Sequence, residues 1–188
     1  MQEPDHKVRT LILGIGNLLL CDEGVGVHVA RALRLEELPE NVVALDVGTA
    51  FLDALPEIEL ADRIIIVDAM QVGHAPGTIY RVPFDDCVKP TCIASLHGFD
   101  LSRTLFLAGR ESAPEAVVIG VEPARIDWGT ELSPEVEERV AAVIEAVKVE
   151  IARRKTMVPG FASGDSLQGD SEGWKRDGTR QRNFRGHP

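Results

Sequence analysis

The sequence predicts a three-layer α/β/α fold, in which a mostly parallel, twisted sheet of about five strands carries helices on both faces. Short apolar runs alternate along the chain with segments of helical periodicity, which is the pattern of successive βα units. Residues 8–15 form a near-continuous apolar run, as expected of a strand that is buried on both faces. With 188 residues, of which 44% are apolar, the chain can form one hydrophobic core.

The individual elements follow in order from this pattern. Strands are expected at residues 8–15, 42–47, 63–67, 78–82 and 116–121, and helices at residues 23–38, 51–55, 99–108 and 133–154. Pro39 ends the first helix, and the turn Ala75–Pro76–Gly77 introduces the fourth strand, whose alternating pattern indicates an edge of the sheet. Ser133 and Pro134 are a helix cap and a first helical residue, so the last helix begins there.

The chain changes character near residue 156. Residues 1–155 are expected to form a single domain, whereas residues 156–188 are rich in glycine, serine and charged side chains, with only isolated aromatic residues. Such a segment buries too little apolar surface to offset the entropy lost on ordering. We therefore expect residues 156–188 to be a disordered C-terminal tail.

Composition excludes several classes of partner. The net charge is −10 and no basic stripe is visible, which argues against nucleic acid, because phosphate contacts require lysine and arginine. No apolar run approaches the about 20 residues that a membrane span requires, and the N-terminus lacks the features of a signal peptide. The three cysteines have no CxxC spacing, which favours free thiols in a reducing compartment. We expect a cytoplasmic protein that does not bind membranes.

Three side chains with metal-binding chemistry are expected at the carboxyl ends of strands, where open α/β sheets bind their ligands. Glu23 follows the first strand, Asp68 ends the third, and His97 lies in the loop before the third helix. Two carboxylates and an imidazole suit a borderline divalent cation. Each residue also has a structural alternative: Glu23 complements a helix dipole, Asp68 accepts hydrogen bonds from loop amides, and His97 is solvated.

A nucleotide site is the competing interpretation of the first strand–helix junction. Gly14–Ile15–Gly16 stands where a glycine-rich turn would be, and Asp46 ends the second strand as a ribose-binding acid would. However, Leu19 occupies the position of the motif's third glycine, and the carboxylates of Asp22 and Glu23 would repel a pyrophosphate. The junction is therefore expected to meet a positively charged group.

The segment from Gly14 to Val27, GIGNLLLCDEGVGV, resembles the N-terminal signature of the [NiFe]-hydrogenase maturation endopeptidases, G-[IV]-G-N-x-L-x-x-D-[ED]-[GA]-x-G. Val47 stands where the family often has glycine. The resemblance covers about residues 8–154, and further family segments follow in the family's order: DVGT at 46–49, IIIVDA at 64–69, APGT at 75–78, SLHG at 95–98 and GVEP at 120–123.

The resemblance implies an endopeptidase that removes a C-terminal extension from the large-subunit precursor of a [NiFe] hydrogenase after nickel insertion. The family's metal ligands correspond to Glu23, Asp68 and His97, and the nickel is expected to arrive with the precursor. Two roles for the cation stay open: it polarises the scissile carbonyl, or it serves recognition while a carboxylate activates the water. Asp22 is a candidate general base or supporting residue, with plain helix capping as the alternative.

Other residues near the strand ends receive weaker assignments. Asp46, Gly48 and Thr49 are candidates for partner recognition, and an ordinary strand exit is the alternative. Trp128 is expected to be a packing residue. Cys21 is a poor nucleophile, because the neighbouring Asp22 carboxylate disfavours its thiolate.

The sequence shows neither the H-E-x-x-H motif nor the spacing of a Ser–His–Asp triad. We expect a monomer. Two non-enzymatic functions stay open, a nickel-handling accessory protein and a family member that binds the precursor without cutting it.

Overall fold

The computed structural model describes residues 9–87 and 114–153. Its strands are β1 (Thr10–Ile15), β2 (Val42–Gly48), β3 (Arg63–Ala69), β4 (Ile79–Pro83) and β5 (Glu115–Val121). They form one five-stranded sheet in the order β2-β1-β3-β5-β4. All neighbouring pairs are parallel except β4 and β5, which pair antiparallel at the edge. The predicted five-stranded, mostly parallel sheet is confirmed.

The helices of the described residues are α1 (Val25–Leu33), α2 (Leu55–Leu60), α3 (Phe84–Cys87), α4 (Pro134–Glu137) and α5 (Val140–Ala152). Short 3₁₀ helices, Cys21–Gly24 and Phe51–Ala54, lead into α1 and α2. The predicted helix at 99–108 and the predicted tail at 156–188 lie outside the described residues.

Three helix predictions are wrong at their boundaries. The predicted helix at 51–55 is a 3₁₀ helix, Phe51–Ala54, followed by α2, which extends to Leu60. The first helix ends at Leu33 and not at residue 38, because the next apolar side chain, Leu35, is exposed and extends no packed face. The predicted helix at 133–154 is divided into α4 and α5. Arg139, which lies between the two, donates from Nε to the carbonyl oxygen of Gly77 at 3.3 Å.

Two hydrophobic clusters cover the two faces of the sheet. One unites β-strand side chains such as Ile12 and Ile65 with α1 and α5, and the other unites Leu11 and Ile64 with α2 and α3. Each fully buried aliphatic side chain contributes about 1.5–3 kcal/mol relative to exposure. Helices therefore lie on both faces, and the predicted three layers are confirmed.

A buried ionic cluster joins α5 to the sheet. The carboxylate of Glu150 accepts hydrogen bonds from Arg63, at the start of β3, and from Arg81 on β4, whose Nε lies 2.7 Å from Oε2. Burial alone would raise the pKa of Glu150, but the hydrogen bond and charge of Arg81, together with the charge of Arg63, outweigh it and hold this pKa below its usual value. None of the helices among the described residues, α5 included, is both long and apolar enough to cross a membrane.

Candidate active site at the carboxyl edge of the sheet

The sheet has a topological switch point between β1 and β3. From β1 the chain passes through α1 to β2 on one side, and it later returns to place β3 on the other side of β1. Connections that diverge in this way leave a crevice at the carboxyl ends of the two strands, where open α/β sheets bind ligands. Glu23 follows β1 and Asp68 lies at the end of β3, so both acids belong to this edge.

Three glycines, which we call the glycine seam (Gly14, Gly16 and Gly26), let the chain after β1 fold tightly back over this edge. A Cβ atom on Gly16 would lie 1.8 Å from the carbonyl oxygen of Glu23. A Cβ atom on Gly26 would lie 2.1 Å from the carbonyl oxygen of Val67, the residue before Asp68. Any side chain at these positions would push α1 away from the strands. The seam therefore brings the Glu23 backbone against β1 and the start of α1 against the end of β3.

Glu23 and Asp68 are both removed from solvent, with exposed fractions of 6% and 3%. The 3₁₀ helix Cys21–Gly24, which carries Glu23, packs against β3, which carries Asp68. Two buried acidic side chains on adjoining elements concentrate negative potential at the strand ends. Such a place attracts a cation and disfavours a phosphate, as the sequence indicates.

The predicted third ligand, His97, lies outside the described residues. Within residues 9–87 and 114–153, no group of three or more His, Cys, Asp or Glu side chains is arranged to hold a metal ion. The donors that the structure describes here are hard carboxylate oxygens, which fit a divalent cation but are too few to hold it alone. The assignment of Glu23, Asp68 and His97 as a ligand set stays a prediction.

Asp22, the residue before Glu23, is held by hydrogen bonds from residues 124–133. Its fully buried carboxylate accepts four hydrogen bonds: from the amides of Ala124 at 2.9 Å and Arg125 at 2.8 Å, and from the amide and hydroxyl of Ser133 at 2.6 and 2.8 Å. It makes no side-chain cap on its own helix. A carboxylate with four donors tethers residues 124–133 to the start of the site, which favours a structural role over that of a general base.

The tethered segment, residues 124–133, also pairs with the chain before Glu23. Leu20 and Gly129 form a parallel bridge, in which the Cys21 amide donates to Gly129 at 2.9 Å and the Gly129 amide donates to Leu19 at 3.0 Å. Cys21 has a φ of +52°, a conformation that is costly for a residue with a Cβ atom. Trp128 is 80% exposed, so the expectation that it is a packing residue is wrong.

The candidate recognition residues lie at the end of β2. Asp46 accepts from Nε of Arg31 on α1 at 2.7 Å, and the carbonyl of Gly48 accepts from the Gly16 amide at 3.1 Å. Gly48 has a φ of +55°, which favours glycine, and Thr49 is exposed in the following turn. These contacts join the DVGT segment to the glycine seam. Its role in partner recognition stays a prediction.

Glu122, just after β5, is a buried acid that the sequence reasoning did not single out. Its carboxylate accepts from the amides of Val72 and Gly73, each at 2.9 Å, and from the Tyr80 hydroxyl. Burial raises the pKa of Glu122, but these hydrogen bonds outweigh it and lower the pKa overall. Burial and the same carboxylate raise the pKa of Tyr80 to about 12. Glu122 thus holds the exposed loop that follows Asp68. The sequence feature that could have identified Glu122 is its position directly after a buried strand, β5.

Several known proteins are similar to this chain in sequence. The HupD hydrogenase expression/formation protein of Thiocapsa roseopersicina is 36% identical over 141 residues, which are 72% of this chain and 64% of that protein. The HupD protein of Bradyrhizobium diazoefficiens is 38% identical over 144 residues, 73% of this chain and 74% of that protein. This chain thus spans a little under two thirds of the first relative and about three quarters of the second.

Solved structures give the same result. The hydrogenase maturating endopeptidase HybD from Escherichia coli superposes with a TM-score of 0.67 at 30% identity, covering 76% of this chain and 91% of that one. The [NiFe] hydrogenase maturation protease HybD from Thermococcus kodakarensis superposes with a TM-score of 0.65 at 29% identity, covering 77% and 99%. The family model described as hydrogenase maturation protease matches residues 27–150. The chain therefore belongs to the hydrogenase maturation protease family, a family of peptidases.

Proposed function

We propose that this protein removes the C-terminal extension from the large-subunit precursor of a [NiFe] hydrogenase after nickel has been inserted. The observation that carries the proposal is the pair of buried acids, Glu23 and Asp68, at the switch point of a hydrogenase maturation protease. The acids offer oxygen ligands to a cation that belongs to the substrate. The nickel of the precursor is then the signal that the precursor is ready to be cut.

In this mechanism each residue has a separate task. Glu23 and Asp68 face the nickel of the precursor as oxygen donors, and His97 supplies the nitrogen donor. The nickel, once in place, orients the precursor and draws electron density from nearby polar groups. Hydrolysis forms a bond from the water oxygen to the scissile carbonyl carbon and breaks the C–N bond; a carboxylate oxygen of Glu23 or Asp68 takes the proton of the attacking water and passes it to the leaving amine. Asp22 keeps Glu23 in position, since its own oxygens are occupied by four donors.

The proposal also covers the cellular compartment in which the protein acts and its oligomeric state. Cys21 is a free and buried thiol. Together with the odd number of cysteines, this fits a reducing cytoplasm, where the hydrogenase precursor is also expected. We propose that the protein acts there as a monomer and meets its precursor in solution.

The test is incubation with nickel-loaded and nickel-free precursor, followed by mass measurement of the precursor's C-terminus. The wild type should shorten the nickel-loaded precursor alone. Glu23→Gln and Asp68→Asn remove a charge at nearly constant size and should abolish cleavage, as should His97→Ala. Glu59→Gln and Asp53→Asn make the same chemical changes at exposed positions and should cleave normally.

Three results would contradict the proposal. Equal cutting of the nickel-free precursor would show that the protein does not need nickel to recognise its substrate. Full activity of the His97→Ala protein would show that His97 is not part of the active site. Tight binding of the precursor without any change in its mass would instead indicate an accessory protein that does not cut.

A further inference from the structure

Two large apolar side chains are exposed where the chain before Glu23 pairs with residues 124–133. Leu19 is 54% exposed and Trp128 is 80% exposed. They precede the two residues of the parallel bridge, Leu20 and Gly129, and the hydrogen bond from the Gly129 amide to the Leu19 carbonyl oxygen brings the backbones of Leu19 and Trp128 close together. We call this pair the Leu19–Trp128 surface. Leu19 is only four residues from Glu23, so the surface adjoins the proposed active site.

The backbone that carries this surface is fixed from several directions. The Asp22 carboxylate binds the amides of Ala124 and Arg125 and both donors of Ser133. A Cβ atom on Gly129 would lie 2.6 Å from Sγ of Cys21, so the two segments touch closely. A surface held in this way loses little further backbone freedom on binding, which favours affinity.

The Leu19–Trp128 surface differs in position from Leu35, another exposed apolar residue. Leu35, which is 90% exposed, lies just after α1 at the amino end of the strands, far along the sheet from Glu23. Single exposed aliphatic residues of this kind are common and need no partner. Tryptophan, by contrast, is enriched among the residues that dominate the binding energy of interfaces. A tryptophan that is exposed on a backbone bridged to the residues just before Glu23 therefore indicates a contact with the substrate.

The surface is too small to hold a second copy of this chain. A stable dimer buries about 800 Å² on each partner, whereas one tryptophan and one leucine offer at most about 300 Å². A polypeptide that enters the active site needs less, because other contacts within the site add to the binding. Four residues of chain span at most about 14 Å, so a polypeptide that is bound at Glu23 also comes near Leu19. We propose that the Leu19–Trp128 surface binds an apolar side chain of the hydrogenase precursor close to the bond that is cut.

This inference rests on the proposed function and is tested by steady-state cleavage of nickel-loaded precursor. Trp128→Ser and Leu19→Ser should each raise KM about tenfold, in line with the loss of an interface hot spot, and should change kcat less than twofold. Trp128→Phe should recover most of the loss. Leu35→Ser, the matched control, should leave KM and kcat unchanged. The melting temperature of each variant shows whether it is folded.

The possible outcomes distinguish a failure of the Leu19–Trp128 inference from a failure of the proposed function. If the wild type cleaves and neither serine variant changes KM, the Leu19–Trp128 surface does not bind substrate. If Trp128→Ser instead dissociates a dimer seen by sedimentation, the surface is an interface between copies and the inference is wrong. If the wild type cleaves no precursor, the proposed function fails. The surface is then judged by precursor binding alone, which Trp128→Ser should still weaken about tenfold.

Discussion

We expect the Asp22 carboxylate to be structural and not catalytic, and the substitution Asp22→Asn tests this assignment. The amide has one acceptor oxygen, and its NH₂ group would face at least one of the present donors. If the oxygen takes the place of Oδ2, it keeps Ala124, Arg125 and the Ser133 hydroxyl, and the Ser133 amide loses its acceptor. The three bonds that remain change from charge-assisted to neutral.

The cost can be worked out from these contacts. A hydrogen bond to a charged group is worth about 1.5–3 kcal/mol and a neutral one about 0.5–1.5 kcal/mol, so three weakened bonds and one lost bond sum to about 6 kcal/mol. Since the four bonds share one carboxylate and are not additive, we expect a loss of about 3 kcal/mol. In a domain of this size that lowers the melting temperature by about 6–12 °C.

Urea unfolding followed by circular dichroism measures this loss, with Asp53→Asn as the exposed control. Precursor cleavage is measured at a temperature at which the variant is still folded, and it should fall by no more than about tenfold, because Glu23 and Asp68 are intact. A variant with unchanged stability and no cleavage would show that Asp22 is the general base, and the structural assignment would be refuted.

Three further predictions concern the rest of the framework. Glu150→Gln should cost about 3–5 kcal/mol at neutral pH, because the buried guanidinium of Arg63 loses the charge of its hydrogen-bonded partner. Because the pKa of Glu150 is lower in the folded protein than its usual value of 4.5, the Glu150 carboxylate stabilises the fold fully above pH 4.5. This stabilisation is lost as the pH falls through the lower pKa of the folded protein. The free energy of unfolding of the variant should therefore fall less steeply with decreasing pH than that of the wild type. Gly26→Ala should destabilise by at least about 3 kcal/mol in urea, because its methyl group would lie 2.1 Å from the Val67 carbonyl oxygen. Tyr80→Phe should raise the pKa of Glu122 in a carbon-detected NMR titration, since one of its hydrogen-bond donors is lost.

The strands were predictable because their burial leaves a local signature. Every residue of β3, Arg63–Ala69, is buried, so the strand reads as an apolar run with polar residues only near its ends. The ends of the strands then place Glu23 and Asp68 at one edge without any tertiary information. Helix ends were less predictable, since the packing beyond Leu33 depends on what lies opposite.

The supporting contacts of the site could not be read from the sequence. The hydrogen-bond partners of Asp22 lie 102 to 111 residues further along the chain, so no local spacing connects them. The exposure of Trp128 depends on the same long-range bridge. Glu122 had a usable signal, an acid at the end of a buried strand, but its binding to the loop after Asp68 appears only in three dimensions.

The glycine seam also bears on how this family can be engineered and how it can diverge. Where backbone touches backbone, there is no side chain that could adjust its rotamer to absorb a change nearby. Neutral drift should therefore be strongly restricted at Gly14, Gly16 and Gly26, while the aliphatic positions of the core exchange freely among similar volumes. By the same reasoning, the segment from β1 to α1 should transfer between relatives as one rigid cassette, and partner preference can then be changed in the surrounding loops without moving the acids.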